Sequence, residues 1–203
     1  MKQAGKWSGR MAEELSGKTL AVLGFGKIGR SLARIAKLGY GMNVVAFDVN
    51  EEVSRNSQEL FDAFTTDFEE AVREADYVSL HVNLGPSTQG FINEGRLRSF
   101  KKGAVLVNTS RGGLVNEDDL YAALSSGVLS SAALDVFVNE PYRPSGTHDL
   151  RKLPNVLLSP HVASHTEAAN RRMAESAIRS VLLYGEGQFE KIPIIPELRS
   201  GVR

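Results

Sequence analysis

Short apolar runs alternate along the chain with segments of helical periodicity, and this alternation limits the possible folds more than any other feature. Six such runs occur: TLAVLG (19–24), MNVVAFD (42–48), YVSLHV (77–82), AVLVNT (104–109), SAALDV (131–136) and NVLLSP (155–160). They lack a strict alternation of apolar and polar residues, which is typical of parallel strands covered by helices on both faces. Helical patterns occupy 27–38, 68–74, 93–100, 117–126 and 166–184. This order predicts an α/β protein with a doubly wound parallel sheet.

The composition excludes several functional classes. Apolar residues make up 42 % of the 203 residues and charged residues 24 %, values typical of a globular protein that needs no disulfide or metal to form its core. The 24 basic residues balance the 24 acidic residues, so no overall field favours nucleic acid or an anionic membrane. The chain has no cysteine, which rules out a thiolate metal site and a cysteine nucleophile. We predict no nucleic-acid, membrane or metal partner.

Targeting signals are missing from the sequence. No apolar stretch approaches the ~20 residues that are needed to cross a bilayer. The opening residues, MKQAGKWSGRMAEEL, lack the apolar run of a signal peptide. The sequence therefore predicts a cytoplasmic location.

The segment GFGKIG contains three glycines in the pattern Gly24-x-Gly26-x-x-Gly29. It follows the first apolar run and opens the first helical pattern, and Asp48 ends the second run, which is the context that dinucleotide binding requires. The glycines allow a tight turn, close approach of a pyrophosphate and close helix packing, while Asp48 can accept hydrogen bonds from ribose hydroxyls and would repel a 2′-phosphate. We therefore predict a Rossmann-type fold that binds NAD rather than NADP. The alternative is a glycine turn in a protein that binds no nucleotide.

Charged residues follow three later apolar runs, where open α/β sheets build their sites. Arg111 follows the fourth run, Asp135 and Glu140 lie at and beyond the end of the fifth, and His161 follows the sixth. Arg111 offers a planar cation for a carboxylate, His161 can exchange a proton near neutral pH, and Glu140 could orient the imidazole. Each residue alone could be an ordinary surface or structural residue. Together, behind a nucleotide motif, they indicate hydride transfer to or from a nicotinamide.

Several longer segments resemble the NAD-binding domain of the D-isomer-specific 2-hydroxyacid dehydrogenases. The matching segments are ELSGKTLAVLGFGKIGRSLARIAKLGYGMNVVAFD, ADYVSLHVNLGPSTQGFI, FKKGAVLVNTSRGGLVNEDDLYAAL, AALDVFVNEP and LPNVLLSPHVASHTEA, and they occur in the family's order. The resemblance implies an NAD-dependent oxidoreductase of the EC 1.1.1 type that interconverts 2-hydroxy and 2-oxo acids. It also implies dimerisation through the cofactor domain.

The resemblance assigns roles to individual positions. It implies that Arg111, Glu140 and His161 are catalytic, with His161 as the acid and base. It places Lys27, Ile28 and Thr88 near the phosphates, and Thr109, Ser110 and Asp135 near the nicotinamide and its ribose. The complete predicted cofactor set is Gly24, Gly26, Lys27, Ile28, Gly29, Asp48, Asn83, Thr88, Thr109, Ser110, Arg111, Asp135, His161 and Ser164. Asn83 departs from the family, which often has proline there.

The resemblance also predicts how the chain divides. We expect an interdomain linker remnant at 1–17, an NAD-binding domain at 18–185 and a tail at 186–203. The family's substrate domain, which precedes the cofactor domain, is expected to be largely absent. Three readings stay open on these residues: the cofactor half of a dehydrogenase, a non-catalytic NAD-binding and dimerisation module, or an inactive truncated fragment.

Overall fold

The computed structural model describes residues 12–193. Within that range the chain forms two compact units, one that ends at His161 and one that begins at Val162. The first unit holds every strand of the sheet and all α-helices but the last. The second contains α5 (Glu167–Gly185), which confirms the helix expected at 166–184 and begins where the Thr166 hydroxyl accepts a hydrogen bond from Ala169 N at 3.1 Å.

A single parallel sheet organises the first unit. Its seven strands are β1 (Thr19–Leu23), β2 (Asn43–Phe47), β3 (Ala63–Thr65), β4 (Tyr77–Leu80), β5 (Ala104–Asn108), β6 (Leu129–Leu134) and β7 (Val156–Leu158). Their order across the sheet is β3-β2-β1-β4-β5-β6-β7, and every neighbouring pair is parallel. The predicted Rossmann-type fold is confirmed. The order reverses between β1 and β4, the position at which such sheets bind their ligands.

One strand was not predicted from the sequence. Strand β3 has three residues and pairs only with β2, through Val45–Ala63, Ala46–Phe64 and Phe47–Thr65. Such a short segment has no apolar run long enough to be recognised as a strand. Strand β3 forms because the backbone groups on the outer side of β2 need hydrogen-bond partners, and residues 63–65 supply them.

The first unit contains four α-helices, and three of them begin at a side chain that caps the amino end. The four are α1 (Lys27–Arg34), α2 (Phe68–Val72), α3 (Glu94–Leu97) and α4 (Glu117–Ser125). Asp67, Asn93 and Asn116 cap α2, α3 and α4 by accepting backbone N–H groups. Helix α1 is shorter than predicted, because its last residues continue as a π-helical turn at Ile35–Gly39.

Buried side chains form two clusters, one on each face of the sheet. Successive residues of β1 alternate between them: Leu20 and Val22 belong to the smaller cluster, and Ala21 and Leu23 to the larger. This alternation follows from the two-residue period of a strand. Burial on both faces explains why the strands are continuous apolar runs in the sequence. No helix among residues 12–193 is long and apolar enough to cross a membrane.

Candidate active site

The glycine motif forms a turn between β1 and α1 in which two of the three glycines, Gly24 and Gly29, leave no room for a side chain. Gly24 has φ +96°, and a β-carbon on it would lie 2.6 Å from the His81 carbonyl carbon. A β-carbon on Gly29 would lie 2.1 Å from Gly24 O. Gly26 is the N-cap of α1, and a β-carbon there would meet no atom within 4 Å. The turn therefore brings α1 close to the sheet and leaves space in front of the helix amino end, where backbone N–H groups can bind a pyrophosphate.

Asp48 lies directly beside this turn. Its Oδ2 accepts a hydrogen bond from Phe25 N at 2.8 Å, and its Oδ1 accepts one from Asn50 N at 3.0 Å. These two bonds hold the half-buried carboxylate at the carboxyl end of β2. Each carboxylate oxygen retains a further lone pair for a ribose hydroxyl. Lys27 and Ile28 are exposed in the first turn of α1, with Ile28 71 % exposed.

Arg111, Glu140 and His161, which are separated widely in sequence, line one cleft of about 360 Å³. His161 Nδ1 lies 2.8 Å from Glu140 Oε2, and Glu140 Oε1 accepts a hydrogen bond from Phe137 N at 3.0 Å. The hydrogen bond with His161, supported by the one from Phe137 N, lowers the pKa of the Glu140 carboxyl below its ordinary value. Glu140 is therefore an anion at neutral pH, suited to orienting the imidazole and stabilising its charged form.

The backbone at His161 has an uncommon conformation. Its φ is 54°, in the left-handed region that residues other than glycine rarely adopt. Its N–H is bonded to Ser159 O at 3.0 Å. Such outliers cluster at functional sites, where surrounding contacts hold them. The conformation supports a functional role for this histidine rather than an ordinary loop position.

A tight backbone contact joins the turn of Arg111 to the loop of Glu140. A β-carbon on Gly112 would lie 1.9 Å from the Phe137 carbonyl carbon. Arg111 itself is exposed, and its Nη1 donates to Ser110 O at 2.7 Å. Because a guanidinium has five N–H donors, others remain for a carboxylate or carbonyl group in the cleft.

Comparisons with known proteins identify the family to which the chain belongs. The protein-family model described as D-isomer specific 2-hydroxyacid dehydrogenase, NAD binding domain, matches residues 1–163. The chain belongs to this family. Among curated relatives, it is 40 % identical over 174 residues to a glyoxylate reductase of Thermococcus litoralis, covering 86 % of this chain and 51 % of that protein. A hydroxypyruvate reductase of Thermotoga maritima is 36 % identical over 179 residues, covering 87 % of this chain and 56 % of that protein.

Solved structures of dehydrogenases share the fold. The NAD-complexed D-isomer specific 2-hydroxyacid dehydrogenase from Lactobacillus delbrueckii ssp. bulgaricus superposes with a TM-score of 0.75 at 34 % identity, covering 87 % of this chain and 55 % of that one. D-lactate dehydrogenase from Aquifex aeolicus, complexed with NAD and lactic acid, gives 0.78 at 32 % identity, covering 94 % and 60 %. The chain spans about half the length of the curated relatives that it matches.

For this family of dehydrogenases the expected cofactor is NAD, and the glycine turn fits it. The space before α1 suits a pyrophosphate, and Asp48 is held where a ribose hydroxyl can reach it. The predictions of the family and of NAD as its cofactor are confirmed. The individual roles predicted for the site residues stay predictions.

The remaining predicted cofactor residues lie on loops that follow β4, β5 and β6. Thr88 Oγ1 accepts a hydrogen bond from Gly85 N at 2.8 Å and donates to Asn83 O at 2.7 Å, so it shapes its own turn. Ser110 Oγ donates to Leu80 O at 2.6 Å, which ties the loop after β5 to β4. Thr109 beside it is exposed.

Asp135 is a buried carboxylate at the end of β6. It is 4 % exposed, and its Oδ1 accepts a hydrogen bond from Ser159 Oγ at 2.6 Å. This bond connects the carboxyl ends of β6 and β7. Ser164 belongs to the second unit, and its part in the site stays a prediction.

Sequence reasoning missed the surroundings of two titratable residues, His81 and Glu117. His81 follows β4, and burial lowers the pKa of its imidazole to about 4, so it is neutral at physiological pH; its Nε2 lies 2.9 Å from Ser79 Oγ. Glu117 is 5 % exposed and accepts hydrogen bonds from Ser145 N at 3.0 Å and Val138 N at 3.4 Å. In the sequence Glu117 is only one of three acids at a helix start. Nothing in that pattern shows which acid is buried.

Proposed function

We propose that this chain is the cofactor-binding half of an NAD-dependent D-2-hydroxyacid dehydrogenase that interconverts a 2-hydroxy acid and a 2-oxo acid. The observation that carries the proposal is the 2.8 Å contact between His161 Nδ1 and Glu140 Oε2 in a cleft shared with Arg111. This contact brings together a proton-transfer group, the anion that orients it and a cation for the substrate.

Each residue has a distinct role in the proposed reaction. With Nδ1 engaged by Glu140, His161 uses Nε2 to take the proton of the substrate hydroxyl, or to return it to the carbonyl oxygen. Glu140 stabilises the resulting imidazolium. Arg111 holds the substrate carboxylate and polarises the carbonyl that forms. The bound NAD supplies the chemistry of hydride acceptance and donation.

The test is NADH oxidation by the purified chain with glyoxylate, hydroxypyruvate, pyruvate and 3-phosphohydroxypyruvate. Arg111→Ala and His161→Gln should each lower kcat/KM by at least about a hundredfold, since each removes a group acting on the reacting atoms. Arg143→Ala, an exposed arginine on the Glu140 loop, is the matched control and should retain activity. Turnover that survives Arg111→Ala and His161→Gln would contradict the proposal.

A second candidate is a non-catalytic NAD-binding module that controls dimerisation. It would need only the glycine turn and Asp48, which suit NAD without any contribution from Arg111, Glu140 or His161. Under this alternative, NAD would change the molar mass measured by light scattering, and no oxo acid would be reduced. Reduction that depends on Arg111 would exclude it.

For either function we propose a homodimer formed by the NAD-binding domain. Exposed apolar side chains support this: Ile35 and Leu38 near the end of α1 are 53 % and 68 % exposed, and Val181 on α5 is 71 % exposed. Apolar surface of this kind marks association sites when it is contiguous. Light scattering that gives only monomer at high concentration would contradict the proposal.

The cytoplasmic location and the domain limits at 17 and 185 remain predictions.

A further inference from the structure

The loop that carries Glu140 is anchored to the first turn of α4 by two neighbouring carboxylates. Glu117 accepts backbone hydrogen bonds from Val138, which precedes Glu140 in the chain, and from Ser145, which follows it. Asp118 accepts hydrogen bonds from the loop two and three residues beyond Ser145, at Thr147 and His148. The loop of residues 138–148 is thus hydrogen-bonded to α4 both before and after Glu140.

Asp118 makes the larger number of these bonds. Its Oδ1 accepts from Thr147 N at 3.0 Å, His148 N at 3.0 Å and Thr147 Oγ1 at 3.3 Å, and it lies 2.9 Å from His148 Nδ1. The pKa of the Asp118 carboxyl is lowered. The largest cause is the backbone hydrogen bond from Thr147, and the next is the side-chain bond with His148. The His148 ring also stacks on Tyr121 of α4, with ring centroids 4.5 Å apart. This cluster lies outside the cleft of Arg111 and His161.

The loop backbone is shaped to receive this carboxylate. A β-carbon on Gly146 would lie 2.1 Å from Asp118 Oδ2, so only glycine permits the approach. Within the loop, Tyr142 packs on Phe137 with ring centroids 4.7 Å apart, and its hydroxyl accepts a hydrogen bond from Leu150 N at 3.2 Å. These contacts pack the loop on itself between Glu140 and the residues that Asp118 binds.

We propose that Asp118 is a positioning residue for catalysis: by binding Thr147 and His148 to α4, it holds the folded loop whose Glu140 orients His161. The expected change in kcat rests on the proposed function. The expected changes in the loop and in the position of Glu140 do not. Asp118 does not line the cleft that contains Arg111, Glu140 and His161. It acts through the position of Glu140, which the Phe137 N–H and the His161 imidazole define.

The test compares Asp118→Ala with Asp119→Ala in the full 203-residue chain. Asp119 is the matched control, because it lies in the same helical turn but accepts its hydrogen bond from Glu94 N at 2.9 Å, away from the loop. In Asp118→Ala, amide hydrogen exchange at Thr147 and His148 should rise about tenfold or more, since bonds to a charged acceptor are lost. In Asp119→Ala it should not change.

Two further readouts separate positioning from simple tethering. Carbon NMR titration should show the pKa of the Glu140 carboxyl moving up toward its ordinary value in Asp118→Ala, because the contact with His161 is held less often. The kcat of oxo-acid reduction should fall about tenfold with KM nearly unchanged, as expected for a disturbed proton-transfer group. Faster loop exchange with an unmoved Glu140 pKa and unchanged kcat would overturn the proposal.

The outcome does not depend on turnover by the parent chain. If the parent chain reduces no oxo acid, the proposed function fails, but exchange at the loop and the Glu140 titration still decide whether Asp118 positions Glu140. If Asp118→Ala does not fold, Asp118→Asn retains one acceptor oxygen and should show smaller changes in the same directions. An Asp118→Asn variant identical to the parent chain in both the exchange and the Glu140 titration would also overturn the proposal.

Discussion

Gly112 and Phe137 are in contact through their backbones, closer than any side chain at position 112 would allow. A β-carbon on Gly112 would lie 1.9 Å from the Phe137 carbonyl carbon and 2.2 Å from its oxygen. Gly112 follows Arg111, and the Phe137 N–H binds Glu140. The contact therefore holds the segment that carries Arg111 against the segment that carries Glu140. In the proposed reaction these are the cation that binds the substrate and the carboxylate that orients His161.

Gly112→Ala is expected to separate these two segments. The methyl group forces a backbone shift, so the free energy of unfolding should fall by about 2–3 kcal/mol, the upper part of the usual range for overpacking. The measurement is urea unfolding followed by circular dichroism. Gly39→Ala is the control, because a β-carbon there meets no atom within 4 Å, and it should be neutral or slightly stabilising. Equal stability of the two variants would contradict the contact.

Asp48 is expected to decide the choice between NADH and NADPH. The chain should bind NADH more tightly, because a 2′-phosphate would approach the carboxylate that Phe25 N and Asn50 N hold in place. In Asp48→Asn the ratio of the two dissociation constants should shrink about tenfold, as one like-charge contact is removed.

Fluorescence titration with both nucleotides measures this ratio. Asp62→Asn is the matched control, since that carboxylate also binds a backbone N–H of β2, Val44 N at 2.8 Å, but at the opposite end of the strand. An unchanged ratio in Asp48→Asn, or tighter binding of NADPH by the parent chain, would refute the assignment.

His81 is expected to make stability fall in mildly acidic solution. Burial lowers its pKa to about 4 in the folded chain, whereas the unfolded value is about 6.5. As the pH falls below about 6.5, the unfolded chain binds this proton first, so stability decreases down to a pH of about 4 and is unaffected above that window. The loss attributable to this group is about 3 kcal/mol across the window.

Urea unfolding at a series of pH values tests the role of His81. His81→Gln should flatten the pH dependence between about 6.5 and 4, because an amide cannot take up the proton. His165→Gln, an exposed histidine of the second unit, serves as the control and should keep the slope of the parent chain. A slope unchanged by His81→Gln would show that another group is responsible. Carboxyls with lowered pKa values, such as Asp118 and Glu140, lose their contribution only at lower pH.

Ser159 is expected to stabilise the buried carboxylate of Asp135. Ser159→Ala removes the hydrogen bond of 2.6 Å to a group that is 4 % exposed. The free energy of unfolding should fall by about 1.5–3 kcal/mol, the usual range for a hydrogen bond to a charged group. Ser130→Ala is the control, since its hydroxyl makes only a 3.4 Å contact with Ala104 O. Thermal melts of the two variants that coincide would contradict the expectation.

Much of the fold and part of the site were predictable because they depend on local pattern. Six of the seven strands and the helical segments follow from apolar runs and helical periodicity. The glycine motif predicted its own turn, since the tight approach at Gly24 and Gly29 excludes any side chain. Arg111, Glu140 and His161 were recognisable because all three follow strand ends, and parallel strands bring their ends to one edge.

The sequence by itself determined the order of elements, the nucleotide motif and the types of residue available for chemistry. Only the tertiary structure decided the pairing of His161 with Glu140, the burial of His81 and Glu117, and the tether of Asp118 to Thr147 and His148. The physical reason is distance along the chain. Periodicity and turn chemistry act within a few residues, whereas these contacts join segments 21 to 30 residues apart, which meet only when the loops after the strands have folded.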